Sequence, residues 1–236
     1  MHAEIGQRKA DEAVTYWEKV AETQWGRYIS EIEKNTLLKA HRSFAKPSTA
    51  IEVGCEGGRW TKLLSESGWN MIATDVNPDV LSLCQARVPA TKCILVSKTD
   101  TTLPCDDETV DMVVAIEPDV AMQSDWILPE ANRVLRDGGI MVSVIWNNMS
   151  WRGIVPHWKC RIKGTYDYYT YSYPEWKNRF HRSGFRIIYA EGMCWMPFGR
   201  SSNSALIPFF TNMEKMLGLR KLTYLSPWIS LIAKKR

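Results

Sequence analysis

Ala50-Ile51-Glu52-Val53-Gly54-Cys55-Glu56-Gly57-Gly58-Arg59-Trp60 decides how the other residues of this 236-residue chain are read. Ala50 to Val53 suits a short buried strand, and Gly58 onward suits the first turn of a helix. Between them the glycines allow a tight turn and let a ligand come close to the backbone. A dinucleotide fingerprint needs the spacing G-x-G-x-x-G. Glycines at 54, 57 and 58 do not have it. An ordinary βα turn of any α/β domain is the simpler alternative.

Outward from this turn the chain alternates between strand and helix patterns. Upstream, residues 11–45 read as helix, with a break expected near Gly26. Val14, Trp17, Val20 and Ala21 mark one apolar face, and Leu37, Leu38 and Phe44 another. Downstream, Asn70 to Asp75 reads as a second strand ending in an acid. Asp75 lies about twenty residues beyond the glycine turn, where a carboxylate can accept hydrogen bonds from both hydroxyls of a ribose. It could instead only open the turn Val76-Asn77-Pro78-Asp79. A helix is predicted over 78–87, then a buried strand at Cys93-Ile94-Leu95-Val96. A strand follows over 108–116 and a helix over 126–136. Arg133-Val134-Leu135-Arg136-Asp137-Gly138-Gly139 reads as a helix end with a Gly-Gly C-cap, leading into a fifth strand. Such alternation predicts a parallel sheet with crossovers on both faces, with the ligand at the carboxyl ends of the first two strands.

Four spaced elements together resemble the class I S-adenosylmethionine (SAM) methyltransferases of the small-molecule type. Glu52, Gly54 and Gly58 match motif I of that family, E/D-x-G-x-G-x-G. Asp75 matches its ribose-binding acid, Asp100 its adenine-binding acid, and Arg133 to Gly139 its R-V-L-x-x-G-G segment. Glu56 replaces the middle glycine of motif I, which predicts a turn without a strongly positive φ there. The resemblance covers residues 50–146. It implies a Rossmann-like, doubly wound α/β sheet, mostly parallel with an antiparallel last strand. It also implies SAM as cofactor, held by Glu52, Gly54, Cys55 and Gly58, by Asp75 and Val76, by Asp100 and Thr101, and by Glu117 beside the transferred methyl.

One methyltransferase domain over 1–236 is expected. It divides into an N-terminal helical segment (1–46), a SAM-binding core (47–146) and two cap insertions (147–172 and 192–226). In the family an N-terminal helix often closes over the ligands, and Tyr16 and Trp17 would do so here. Packing on the sheet is the plainer use of that helix. The insertions are rich in Trp, Tyr, Phe and Met, which suits an apolar or ring-shaped substrate with a polar handle. They could equally build a small satellite core. Leu206 to Phe210, with Lys215, Arg220 and Lys221, could also touch a membrane surface or a lipid-linked substrate.

Methyl transfer needs a base only where the acceptor must lose a proton. Glu117 and His157 are the candidates chosen, over Asp119 and His181. The expected reaction is in-line methylation, at oxygen, of a small-molecule or lipid- or sugar-linked acceptor. Carbon methylation in a quinone-type pathway and SAM binding without turnover are the alternatives. The net charge of +4 reads as spread along the chain, with no nucleic-acid footprint. No N/D-P-P-Y/F/W box follows the fourth strand, which also argues against nucleic-acid methylation. Six cysteines without a C-x-x-C pair suggest reduced thiols and no metal site in a cytoplasmic protein. No apolar run is long enough to span a bilayer.

Overall fold

The computed structural model describes residues 14–236. Residues 11–13 of the expected N-terminal helix lie outside that range. Helix α1 (Tyr16–Ala21) and helix α2 (Gln24–His41) precede the sheet, each with a threonine N-cap, at Thr15 and Thr23. The break falls at Glu22-Thr23 and not at Gly26, which is helical. A Cβ on Gly26 would lie 1.9 Å from the carbonyl oxygen of Val20. The glycine therefore serves the close approach of α2 to the end of α1 and does not interrupt the helix.

Seven strands form one sheet in the order β3-β2-β1-β4-β5-β7-β6. They are β1 (Thr49–Val53), β2 (Asn70–Asp75), β3 (Lys92–Leu95), β4 (Val110–Ala115), β5 (Leu135–Trp146), β6 (Phe185–Met193) and β7 (Trp228–Lys235). The first five pair in parallel, and β7 runs antiparallel between β5 and β6. Helices α3 (Arg59–Glu66), α4 (Pro78–Arg87), α5 (Asp119–Gln123), α6 (Ile127–Val134) and α8 (Tyr173–Arg182) lie between strands. Helix α7 (Trp151–Lys163) sits in the first insertion and α9 (Ile207–Met216) in the second. Because β6 continues through Met193, the second insertion begins at Cys194.

Alternation along the central strands supplies two cores, one on each face of the sheet. Ile51, Val113 and Met141 pack with Trp25, Ile29 and Trp176. Ala50, Met112, Val114 and Val142 face the other way, onto Leu37, Trp60 and Leu64. Helix α2 contributes to both, which ties the N-terminal segment to the sheet.

Two local expectations are corrected. Strand β3 is not a buried strand: it is the edge of the sheet, and Leu95 is exposed. Gly138-Gly139 is not a helix C-cap either. Helix α6 ends at Val134, and Leu135 already pairs with Val110. The next pair is Met112 with Ile140, so residues 136–139 bulge out of the ladder. Gly138 accepts the bulge with φ +75°.

Candidate active site

The strand order reverses between β1 and β4, so the carboxyl ends of these two strands open a crevice at the switch point. The turn after β1 lines it. Gly54 and Gly58 take φ of +72° and +81°. Gly58 also has no room for a side chain, since a Cβ would lie 2.6 Å from Cys84 Sγ. Glu56 takes φ +49°, which overturns the expectation drawn from its lacking hydrogen in place of a Cβ. Its backbone keeps the left-handed shape a glycine would adopt, at a cost of about 1 kcal/mol.

What holds Glu56 in that shape is Asp75. One carboxylate oxygen accepts the N–H of Glu56 at 2.9 Å, and the other accepts the N–H of Asn77 at 2.9 Å. Gly54 and Cys55 both donate to the Thr74 carbonyl at 2.9 Å. The ends of β1 and β2 are thus laced together, and Val76 follows on the exposed side. Asp75 retains lone pairs after these two bonds, since a carboxylate accepts about four.

Glu52 is enclosed beneath the turn. It is 2% exposed and accepts a hydrogen bond from the Thr61 hydroxyl at 2.5 Å. Burial pushes its carboxyl up to about 8, with the Thr61 bond opposing. Cys55 is buried with Cys84 and Cys93 under the same loop. Burial and the Cys84 sulfur push the Cys55 thiol far up, the hydrogen bond with Cys84 being the larger cause. Asp100 stands in the exposed loop after β3, where it accepts the N–H of Ser97 at 2.7 Å, and Thr101 follows it.

Glu117 lies two residues past β4 with φ +59°, so a non-glycine residue is held in the left-handed region here too. Pro118 lies 3.3 Å from where a Gly54 Cβ would be, which brings the β1 and β4 turns together. The Glu117 carboxylate pairs with Arg200 from the second insertion. The Arg200 guanidinium is stacked between the rings of Trp17 and Trp228, 4.7 Å and 4.8 Å from their centroids. Glu33, from α2 and 2% exposed, lies near Glu117 and pairs with Arg59 at 3.5 Å. Burial, and then the Glu117 charge, push the Glu33 carboxyl well above its ordinary range. The Glu117 oxygen Oε1 is buried with no donor among the described residues.

His157 has a different partner. It sits on α7, with Nδ1 2.6 Å from Asp167. No contact among the described residues joins it to the Glu117 cluster. The structure therefore brings Glu117 together with Glu33, Arg59, Arg200 and Trp17, and leaves His157 in a separate pair. Glu33, Arg59 and Arg200 were not singled out from the sequence. Nothing in their local pattern marks them, because each meets Glu117 only through tertiary folding. Trp17, whose expected role was packing or closing over a ligand, is half exposed and stacks on Arg200.

No ligand accompanies these residues, but they fit the cofactor that motif I implies. Left-handed turns at 54, 56 and 58 form the cradle, Asp75 has acceptor capacity to spare, and Glu117 has an orphaned buried oxygen facing a cationic neighbourhood.

Residues 51–143 match the family model described as "Methyltransferase domain". Uncharacterized methyltransferases of Mycobacterium tuberculosis (strain ATCC 25618 / H37Rv) and Mycobacterium bovis are 33% identical over 102 residues, which is 41% of this chain. The match spans 39% of the length of these relatives. Among solved structures, geranyl diphosphate methyltransferase in complex with GPP and sinefungin superposes with a TM-score of 0.63 at 15% identity, covering 89% of this chain and 79% of that one. A chain of the complex between the Haloferax volcanii Trm112 methyltransferase activator and its methyltransferase gives 0.60 at 16%, covering 94% and 98%. At such identities these likenesses show the fold alone. Residues 51–143 thus match the methyltransferase-domain family, and they form the crevice and glycine cradle of a Rossmann-like, mostly parallel seven-stranded sheet.

Proposed function

We propose that this chain transfers a methyl group from SAM to oxygen of a small-molecule or lipid- or sugar-linked acceptor. SAM, when bound, supplies a methyl already activated on a sulfonium, so the protein has chiefly to orient the acceptor. The cradle of Gly54, Cys55, Glu56 and Gly58 would hold the amino acid part. Asp75 and Val76 would hold the ribose, and Asp100 and Thr101 the adenine.

The observation that carries the oxygen reading is Glu117 Oε1, a buried carboxylate oxygen without a donor two residues past β4. A hydroxyl acceptor must lose its proton to become a good nucleophile, and an unpaired carboxylate oxygen can take it. Arg200 pairs with the other oxygen of Glu117, and burial raises the neighbouring Glu33 carboxyl well above its ordinary range. Trp146, Tyr168, Tyr169 and Trp228 form a contiguous aromatic group near Arg200, suited to an apolar acceptor body. His157, oriented by Asp167, remains the second candidate base.

Calorimetric titration with SAM, S-adenosylhomocysteine and NAD tests the cofactor. Both sulfur nucleosides should bind and NAD should not. Asp75→Ala should weaken SAM binding by at least tenfold, about 1.4 kcal/mol, through lost hydrogen bonds to a charged group. Mass analysis of methylated products from hydroxyl, quinone and sugar acceptors then tests the reaction. SAM binding with no product from any acceptor would favour a binding protein without turnover.

A further inference from the structure

Helix α7 presents an apolar stripe to solvent. Trp151, Ile154, Val155, Trp158 and Ile162 are 49%, 43%, 55%, 59% and 80% exposed. At helical spacing they fall within a sector about 100° wide. The opposite side is fastened to the body. Gly153 is buried, and a Cβ on it would lie 2.4 Å from the Asn147 carbonyl oxygen. Arg152 donates to the carbonyls of Cys194, Met196 and Phe198, and His157 pairs with Asp167. The stripe therefore points away from the protein because the helix is held that way round.

Charge is distributed about this stripe with one sign. Between Asp137 and Asp167 the sequence has no acidic residue, while Arg152, Lys159, Arg161 and Lys163 are basic. This stretch is therefore locally basic by four charges, with none of the opposite sign. Lys159, Arg161 and Lys163 are exposed, flank the stripe on both sides, and have no acidic partner among the described residues. The other segment considered for a membrane contact is less suited. Ile207 is buried, and Arg220 turns inward to Glu191 and Glu214.

We propose that α7 docks this protein on an anionic lipid surface, with Trp151, Val155, Trp158 and Ile162 in the interface and the flanking basic residues on lipid headgroups. Tryptophan with basic flanks is the composition of helices lying in such an interface. A flat surface fits a helix that is tethered along one side and offers only the other. A groove in a protein partner would take the same apolar face, and it is the basic flanks that favour an anionic lipid surface over it. A second copy of the chain would set four basic residues against four. This inference is independent of the methyl-transfer reading, because binding to lipid is measured without cofactor.

The test uses the full chain and vesicles of phosphatidylcholine with roughly one third phosphatidylglycerol, against phosphatidylcholine alone. Sedimentation with the anionic vesicles, weakened by salt, is expected, with a blue shift of tryptophan emission. Lys159→Glu with Arg161→Glu and Lys163→Glu should weaken partitioning at least about tenfold, and Trp158→Gln with Ile162→Gln should do the same. All five side chains are exposed, so unchanged thermal unfolding will show that both variants fold. No binding to anionic vesicles, or binding that both variants retain, overturns the proposal. A dimer in sedimentation velocity that Trp158→Gln with Ile162→Gln abolishes also overturns it, because a second copy then covers the stripe.

Discussion

The crevice between β1 and β4 and the second insertion that brings Arg200 to it, here called the cap, are built in different ways. On the crevice side, the groups that shape the cradle are near neighbours in the chain. Asp75 holds Glu56 across 19 residues and Asn77 across two, and Glu52 reaches Thr61 across nine. On the cap side, Arg200 meets Glu117 across 83 residues, and Tyr28 donates to Glu214 across 186. The cradle is a property of one strand-turn-helix unit and its neighbour. The cap exists only once α1, α2 and the second insertion have come together on the sheet. It follows that damage to the cradle should act on cofactor binding, while damage to the cap should act on the acceptor and its proton.

The largest effect that would sharpen this contrast comes from Glu52, beneath the cradle. Its carboxyl, raised to about 8 from an ordinary 4.5, favours the folded state fully while protonated in both states, below about pH 4.5. That stabilisation is lost as pH rises through about 8. Glu52→Gln keeps an acceptor for Thr61 and removes the buried charge. Urea unfolding should find the variant more stable than the parent by about 1–3 kcal/mol at pH 9, and equal to it at pH 5. A parent stability that does not decline between pH 5 and pH 9 relative to the variant would break the account of the cradle.

Next comes Arg200→Ala, which strikes the cap. The Glu33 carboxyl loses a cation that lowers it, so its own proton is held more tightly. Turnover should fall about tenfold, with the cofactor dissociation constant changed less than about threefold. An equal loss in cofactor affinity would erase the distinction between cradle and cap.

The smallest effect belongs to Glu56→Gly. It relieves a left-handed φ at a non-glycine residue but adds freedom to the unfolded chain. A net change within about 1 kcal/mol in thermal unfolding is expected, with SAM affinity unchanged or slightly better. A large loss of affinity would show that the Glu56 side chain itself takes part in the site.

Much of this molecule was legible before folding was considered, and particular residues show where legibility ended. Strand β2 and helix α4 have the bounds the pattern predicted, because a strand ending in Asp75 and a helix starting at Pro78 after an Asn77 cap are set by local backbone preferences. The bulge at 136–139 was misread as a helix cap, since Gly-Gly permits either and only pairing with β4 selects the bulge. Leu95 looked buried by composition, and its place at the sheet edge depends on strand order. His157 was a lone histidine, and its pairing with Asp167, ten residues on, is set by how the first insertion folds.

Local sequence, then, was enough for the alternation of strand and helix, the glycine cradle and the acid at the end of β2. Each of these rests on backbone conformations and hydrogen bonds that span few residues. Tertiary structure alone decided that Glu56 takes a positive φ, that Glu33 is buried beside Glu117, that Arg200 is stacked between Trp17 and Trp228, and that α7 turns its apolar stripe outward. Burial and charge pairing depend on what distant segments bring to the same place, and no spacing along the chain records that.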